Sequence, residues 1–319
     1  MNKPIRVLVI DDSAFNRRTL TRLLESIQGV EVVATATDGN EGLKQAMRLK
    51  PDLITLDLEM PVMDGFTFLR ILMKTSPTPV IVISSRGEDI NVFKAMELGA
   101  VDFIPKPTHI PSLALFDIKD ELAMKIKMLP HLQIDKVAKF EGKHQVSGIQ
   151  YPEERHEEPR AGYGAWDVVA VGSSTGGPPA LSAILPNFPE GFPASVVVSQ
   201  HMPPGFTKPF AERLNKICKI NVREAGDNEG VKGGEVLIAP GGCHLSFRRD
   251  SKGVVMTRLM ERKVDDKYVP SVDIMFSSSA EVWGKRTIGV VLTGMGHDGK
   301  EGVVAIKEKG GYVMAESQE

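Results

Sequence analysis

Acidic, hydroxyl and basic side chains follow short apolar runs in the first third of the sequence. Asp11 and Asp12 come after the first run and Asp57 after the third, while Ser84 and Lys106 follow the fourth and fifth. If the runs are parallel strands, their carboxyl ends meet at one edge of a sheet, where three carboxylates would repel one another. Mg²⁺ relieves such repulsion, and a neighbouring ammonium group and hydroxyl suit a phosphoryl group. We therefore predict that Asp57 is a nucleophile that forms an acyl phosphate.

A second reactive pattern lies in the second half, where an apolar run leads into a glycine-rich turn. Residues 172–176 match the G-x-S-x-G pattern, with Ser174 at its centre. The pattern is typical of a sharp strand-to-helix turn that exposes one serine, and the N–H groups of the helix that follows favour developing negative charge. A phosphate-binding glycine loop and a plain tight turn remain open as interpretations, although the GK[ST] and complete GxGxxG patterns are absent.

A serine hydroxyl needs a base, and the base needs a group that orients it. His201 and Asp298 each follow an apolar run that could be a strand near the one before Ser174. His244 and His297 are rival bases. We favour Ser174 as nucleophile, His201 as base and Asp298 as orienting group. Their order along the chain differs from that of α/β-hydrolases, so it predicts a different doubly wound sheet.

The elements that must position these groups alternate between strands and helices in both halves. In the first half, strand patterns occupy residues 5–10, 30–36, 53–56, 80–83 and 101–104, and an amphipathic helix occupies 13–27. In the second half, strands are predicted at 167–171, 194–199, 234–239, 245–248, 253–257, 287–292 and 311–315, and helices at 179–185, 206–217, 272–283 and 300–308. Continuous apolar strands between amphipathic helices predict mostly parallel sheets covered on both faces, the second with an antiparallel hairpin region.

The length of 319 residues predicts about two domains. Residues 140–164 are rich in charged residues, Pro and Gly and lack periodicity, which favours an exposed linker. We therefore predict a first domain at 1–125, a helix end and linker at 126–165, and a catalytic domain at 166–319.

The composition excludes several classes of protein. With 39 Lys and Arg against 41 Asp and Glu, the formal charge is −2, which argues against a nucleic-acid-binding protein. Cys218 and Cys243 form no CxxC pair, so a disulfide scaffold and a zinc finger are not expected and a reducing cytosol is. The apolar runs are too short to cross a membrane, and no signal peptide is recognisable. We predict a monomeric cytoplasmic protein without membrane insertion.

The first 125 residues resemble a response-regulator receiver domain. The matching motifs are IDD at 10–12, LDLEMPVMDG at 56–65, ISS at 83–85 and FIPKP at 103–107. The resemblance implies a flavodoxin-like fold with five parallel strands and phosphorylation of Asp57 by a sensor histidine kinase. It implies that Mg²⁺ is held by Asp11, Asp12, Asp57 and the Glu59 carbonyl. It further implies that Ser84 is the switch hydroxyl and Phe103 the switch aromatic residue, with Lys106 at the phosphate.

The second half resembles the protein-glutamate methylesterases of chemotaxis. The motifs are VGSSTGG from residue 171, SQHMPPGFT from 199, APGG from 239 and LTGMGHDG from 292. The resemblance implies the roles given above for Ser174, His201 and Asp298, an oxyanion contact from the Met295 backbone N–H, and a place near the site for Thr175. It implies cofactor-free hydrolysis of glutamate methyl esters on chemoreceptor helices and deamidation of selected receptor glutamines. It also implies that phosphorylation of the receiver opens or rearranges access to the esterase site.

Two other functions compete with this hypothesis, a receiver-linked binding module without turnover and a transcriptional regulator. A serine-reactive probe separates the first from an esterase, and no basic recognition helix supports the second. Because the family usually continues beyond the point at which this sequence ends, in ESQE, we expect that the chain is truncated at its C-terminus.

Overall fold

The computed structural model describes residues 3–84, 89–106, 119, 122–126, 166–293 and 296–316. The chain divides into two compact units, Met1–Glu141 and Gly142–Glu319. Each unit is an α/β structure built around its own sheet.

The first unit has five strands and four complete helices within the described residues. The strands are β1 (Ile5–Ile10), β2 (Val30–Ala36), β3 (Leu53–Asp57), β4 (Val80–Ser84) and β5 (Asp102–Pro105). The helices are α1 (Ala14–Glu25), α2 (Gly39–Leu49), α3 (Gly65–Thr75) and α4 (Asp89–Glu97). Ser13 begins α1 as its N-cap, since its side chain accepts a hydrogen bond from the Asn16 N–H at 3.4 Å.

All pairs in the first sheet are parallel, in the order β2-β1-β3-β4-β5. The direction in which successive strands are added reverses between β1 and β3, and a crevice at the carboxyl ends is expected there. The core on one face of the sheet includes Val7, Val9, Leu20, Leu24 and, from the helical residues 122–126, Leu122. The predicted five-stranded parallel sheet is confirmed.

The second unit contains eight strands and four α-helices within the described residues. The strands are β6 (Val168–Ser173), β7 (Ser195–Gln200), β8 (Asn221–Glu224), β9 (Glu235–Ile238), β10 (Cys243–Arg249), β11 (Val255–Glu261), β12 (Thr287–Val291) and β13 (Tyr312–Ala315). The helices are α5 (Gly177–Ile184), α6 (Thr207–Ile217), α7 (Val272–Trp283) and α8 (Lys300–Glu308), with short 3₁₀ turns at Leu185–Asn187 and Gly284–Arg286.

Six of these strands form a parallel sheet in the order β13-β12-β6-β7-β9-β8, and β10 and β11 form a separate antiparallel hairpin. This confirms the predicted mostly parallel sheet with an antiparallel hairpin. The strand order reverses at β6, because β7 lies on one side of it and β12 on the other. The carboxyl ends of these three strands therefore surround the place where a crevice is expected.

Several strand bounds differ from the predictions by one or two residues, and two strands differ more. The short edge strand β8 was missed, because its sequence NVRE lacks an apolar run. The strand predicted at 253–257 instead begins at Val255 and continues to Glu261. Gly253 has a φ of 81°, which places it in the turn before the strand.

Candidate functional site

The backbones of Ser174 and His201 are neighbours at one edge of the sheet, because the strands that precede them are paired in register. β6 and β7 are parallel neighbours in which Ser173 is opposite Gln200. The His201 N–H then donates to the Ser173 carbonyl at 3.0 Å, which extends the pairing one residue beyond β7. Both side chains therefore arise at the carboxyl edge of the sheet.

The turn that carries Ser174 is held from β12 and needs small residues. The Ser174 N–H donates to the Thr293 carbonyl at 3.1 Å, just after β12. Gly176 has a φ of 78°, a left-handed conformation that a glycine adopts without strain, and α5 begins at the next residue. A side chain at Gly172 would overlap Val272, so this glycine lets the start of α7 pack against β6.

His201 and Asp298 are joined by a direct hydrogen bond. The distance between His201 Nε2 and Asp298 Oδ2 is 2.7 Å, and their side chains are 16% and 3% exposed. Since Nε2 carries the proton donated to the carboxylate, Nδ1 of the neutral ring is its basic nitrogen. Within the described part of the chain, no hydrogen bond involves Nδ1 or the Ser174 hydroxyl.

The Asp298 carboxylate sits at the N-terminus of α7 and accepts four hydrogen bonds. Besides His201, its donors are the Val272 N–H at 2.7 Å, the Asp273 N–H at 2.9 Å and the Ser271 hydroxyl at 2.9 Å. Burial by itself raises the pKa of this group, but the hydrogen bonds from His201 and the helix N–H groups outweigh it, and the pKa of Asp298 is lowered. The group is therefore an anion that can orient the His201 ring.

Tyr268 is a site residue that the sequence prediction missed. Its ring stacks on the His201 ring with centroids 5.0 Å apart and an angle of 12° between planes. It also lines a cavity of about 380 Å³ with Asp273, His297, Asp298, Lys300 and Glu301. Tyr268 lies in a polar stretch without periodicity, so no local pattern marks it.

The two rival histidines have different surroundings. His244 is 1% exposed, and both ring nitrogens are engaged: Nε2 with Asp266 at 2.9 Å and Nδ1 with the Ser271 N–H at 3.1 Å. His244 therefore anchors the N-cap of α7 and has no nitrogen free to act as a base. His297 is exposed at the cavity.

Thr175 is buried within the turn that carries Ser174, and its carbonyl accepts a hydrogen bond from the Thr293 hydroxyl at 3.2 Å. Met295, the predicted source of an oxyanion contact, lies outside the described residues.

In the first unit, the predicted carboxylates meet at the crevice between β1 and β3. One oxygen each from Asp11, Asp12 and Asp57 lies within 4.8 Å of the others. Lys106 Nζ lies 2.6 Å from Asp57 Oδ2, and the Glu59 N–H donates to Asp57 Oδ1 at 3.3 Å. The structure thus brings together an ammonium group and three acidic groups, as the strand ends indicated.

The electrostatics of this cluster suit a cation. Burial and the neighbouring Asp57 raise the pKa of Asp11 to about 6, and burial also raises the pKa of Asp57 despite its bond to Lys106. Among the described residues, no group donates a hydrogen bond to the buried Asp11 Oδ2. Such an oxygen, with two further carboxylates beside it, matches the hard oxygen ligands that Mg²⁺ takes.

The two predicted switch residues are Phe103 in β5 and Ser84 at the end of β4. Phe103 is 2% exposed, and Lys125 Nζ lies 5.9 Å from its ring centroid. Ser84 closes β4, but its side chain lies outside the described part of the structure.

Comparison with known proteins first defines the class of protein. A family model described as a response regulator receiver domain matches residues 7–115, and one described as CheB methylesterase matches residues 169–319. The chain is thus a response regulator whose receiver is joined to a methylesterase-type domain.

Relatives then define the family. Protein-glutamate methylesterase/protein-glutamine glutaminase 3 of Geobacter sulfurreducens is 51% identical over 332 residues, covering 99% of this chain and 89% of the relative. The protein-glutamate methylesterase/protein-glutamine glutaminase of Caldanaerobacter subterraneus is 44% identical, with 100% and 88% covered. The crystal structure of the Thermotoga maritima CheB methylesterase catalytic domain is 45% identical, covers 47% of this chain and 79% of that one, and has a TM-score of 0.45. This chain belongs to the protein-glutamate methylesterase/protein-glutamine glutaminase family. Among its described residues, no helix is both long enough and apolar enough to span a membrane.

Proposed function

We propose that this chain hydrolyses glutamate 5-methyl esters on the cytoplasmic helices of chemoreceptors and deamidates selected receptor glutamines. The observation that carries the proposal is the bond between His201 and Asp298, next to Ser174 at the ends of paired strands. The names of the relatives support the same pair of activities. The reaction needs no cofactor and adjusts receptor sensitivity, which gives sensory adaptation.

The ester is cleaved in two steps. Ser174 Oγ attacks the ester carbonyl while His201 Nδ1 takes the hydroxyl proton, and Asp298 stabilises the imidazolium that forms. Backbone N–H groups, including that of Met295, hold the oxyanion, and Thr175 lies close to the nucleophile in the same turn. The carbon–oxygen bond to methoxide then breaks, and the proton from His201 leaves with it as methanol.

Water completes the cycle. His201 takes a proton from water as the oxygen attacks the glutamyl–serine ester, and returns it to Ser174 Oγ as that bond breaks. The product is a glutamate carboxyl group. The same steps with a glutamine side chain release ammonia in place of methanol, so one site serves both activities.

In the receiver, Asp57 accepts a phosphoryl group from the phosphohistidine of a sensor kinase. Its carboxylate oxygen forms the bond to phosphorus as the bond from histidine nitrogen breaks. Asp11, Asp12, Asp57 and the Glu59 carbonyl would hold Mg²⁺, which neutralises charge on the phosphoryl oxygens when bound. Lys106 loses its present pairing with Asp57 and binds the phosphoryl oxygens instead.

Ser84 and Phe103 would convey the phosphorylated state to the rest of the receiver. We infer that this shifts the chain, acting as a monomer in the cytoplasm, towards a population with a more accessible esterase site. Methanol release should therefore rise when acetyl phosphate and Mg²⁺ are added, and Asp57→Asn should abolish that rise. Equal rates with and without the phosphodonor would refute the regulation.

The test of the esterase is methanol release from a methylated receptor fragment. Ser174→Ala should reduce the rate by about 10³-fold or more, because loss of a nucleophile in a concerted triad costs several powers of ten. Ser251→Ala, at an exposed serine in the β10–β11 turn, is the matched control and should behave as wild type. Ser174 should also be the residue that a fluorophosphonate probe labels. Full activity of Ser174→Ala would overturn the proposal. So would a failure of the probe to label the wild-type chain.

A further inference from the structure

One amide side chain joins the two strand ends that carry Ser174 and His201. Gln200 is the last residue of β7 and is 2% exposed. Its Nε2 donates to the Ser174 carbonyl at 2.9 Å and to the His201 carbonyl at 3.1 Å. We propose that Gln200 is a positioning residue that sets the separation and orientation of Ser174 and His201. This inference rests on the proposed function, which assigns those two residues to the reaction.

The orientation of the amide is fixed by its other contact. Gln200 Oε1 accepts a hydrogen bond from the Ser173 hydroxyl at 2.6 Å. Both Nε2 hydrogens and the oxygen are therefore engaged, and the reversed amide would place Oε1 against two carbonyl oxygens. A buried amide with every group satisfied has one orientation, so it holds both backbone segments in one arrangement.

The start of α5 is shaped around this amide. A Cβ atom at Gly177 would overlap Gln200 Oε1 and lie 2.9 Å from the Ser173 Cβ. Gly177 also donates its N–H to the Ser174 carbonyl at 2.8 Å, so that carbonyl has donors from both α5 and Gln200. Ser173, Gly177 and Gln200 thus form one packed group that holds the turn, although none of them takes part in the chemistry.

Removing the Gln200 hydrogen bonds should misalign Ser174 and His201 without weakening substrate binding. A nucleophile displaced by a fraction of an ångström to 1 Å loses up to about 100-fold in rate. Gln200→Met keeps the length of the side chain and removes its hydrogen bonds. We expect kcat to fall by about 10- to 100-fold with KM within about twofold of wild type. The rate of fluorophosphonate labelling of Ser174 should fall by the same factor.

A second variant displaces the amide without altering it. Gly177→Ala should lower kcat in the same way, because its methyl group must push Gln200 aside. The double variant Gly177→Ala/Gln200→Ala should lose less activity than the two single losses combined, because removing the amide removes the larger overlap at Gly177 and leaves only the one with the Ser173 Cβ. Gly230→Ala is the matched control, because a Cβ there meets no atom within 4 Å.

The experiment measures kcat, KM, labelling rate and cooperative unfolding for the full chain and these variants. A fall in kcat and labelling rate at unchanged KM, in variants that unfold cooperatively, supports the inference. Unchanged kcat in folded Gln200→Met or Gly177→Ala would overturn it, as would additive losses in the double variant. If Gln200→Met does not fold, Gly177→Ala and the double variant decide the question. A wild-type chain that the probe does not label would refute the proposed function and this inference with it.

Discussion

Replacing Asp298 by asparagine tests the contacts on which the proposed mechanism depends. The carboxylate accepts two donors at each oxygen: His201 Nε2 and the Val272 N–H at Oδ2, and the Ser271 hydroxyl and Asp273 N–H at Oδ1. Asparagine has the same shape but only one acceptor oxygen. In either orientation of the amide, two of these donors face its NH₂ group.

The stability loss follows from those unmatched donors. One backbone N–H, of Val272 or Asp273, is left without an acceptor, which costs about 1–3 kcal/mol. The N-terminus of α7 also loses a favourable negative charge, worth roughly 0.3–1 kcal/mol. The free energy of unfolding of the second unit should therefore fall by about 1–4 kcal/mol.

The replacement also lowers the catalytic rate. Without the carboxylate, the imidazolium that forms on His201 loses a charge-assisted bond worth about 1.5–3 kcal/mol, which is roughly 10- to 100-fold in rate. If the NH₂ group faces Nε2, the ring must carry its proton on Nδ1, and the base is lost. A reversed tautomer of this kind lowers kcat by up to about 10⁴-fold in serine proteases.

Methanol release gives kcat, and tryptophan fluorescence during urea unfolding gives stability. Both tryptophans, Trp166 and Trp283, lie in the second unit, and Trp283 ends α7 itself. Asp250→Asn is a matched control, because Asp250 caps the Lys252 and Val254 N–H groups in a hairpin turn instead. A kcat for Asp298→Asn within about threefold of wild type would refute the assigned role of the carboxylate.

The pH dependence has a defined sign. The pKa of Asp298 is lowered in the folded chain from its ordinary 3.8. The ionised group therefore stabilises the fold at pH values above 3.8, and this contribution is lost as the pH falls through the lowered pKa. The stability difference between wild type and Asp298→Asn should be constant near neutral pH and should shrink as the pH falls below 3.8. A difference that grows on acidification would contradict the argument.

Three further predictions concern the other contacts. His201→Gln should abolish methanol release, whereas His297→Gln at the exposed cavity wall should retain most of it; the opposite result would exchange their roles. Tyr268→Leu should lower kcat by about two- to fivefold, because the aromatic face stabilises the imidazolium, while Tyr268→Phe should match wild type in the same assay. Millimolar Mg²⁺ should raise the thermal unfolding midpoint of the wild-type receiver and Asp11→Asn should abolish that rise; a rise that persists in the variant would place the cation elsewhere.

Much of the fold was predictable because strands and helices leave periodic patterns in this sequence. The apolar strands of both parallel sheets were predicted, and the family suggested by their motifs is confirmed by the relatives. The edge strand β8 was missed, since a half-exposed strand needs few apolar residues. Pairing with β9, rather than local preference, makes that segment a strand, although Val222 alone of its four residues is buried.

The positions of residues at the ends of predicted strands determined which side chains could meet. Ser174, His201 and Asp298 follow separate apolar runs, and residues at the ends of parallel strands share one sheet edge. The same rule brought Asp11, Asp57 and other groups together in the receiver. These expectations need only the direction of the strands, which the alternation of strands and helices already implies.

The tertiary structure alone decided how the neighbours bond. His244 and His201 were both candidate bases in the sequence, yet the first uses both ring nitrogens to anchor α7 and the second leaves Nδ1 free of hydrogen bonds within the described chain. The stacking of Tyr268 and the Gln200 bridge join residues that no local pattern connects. Periodicity records which way an element faces, whereas a hydrogen bond depends on ångström-scale placement that only the packing of all the elements together sets.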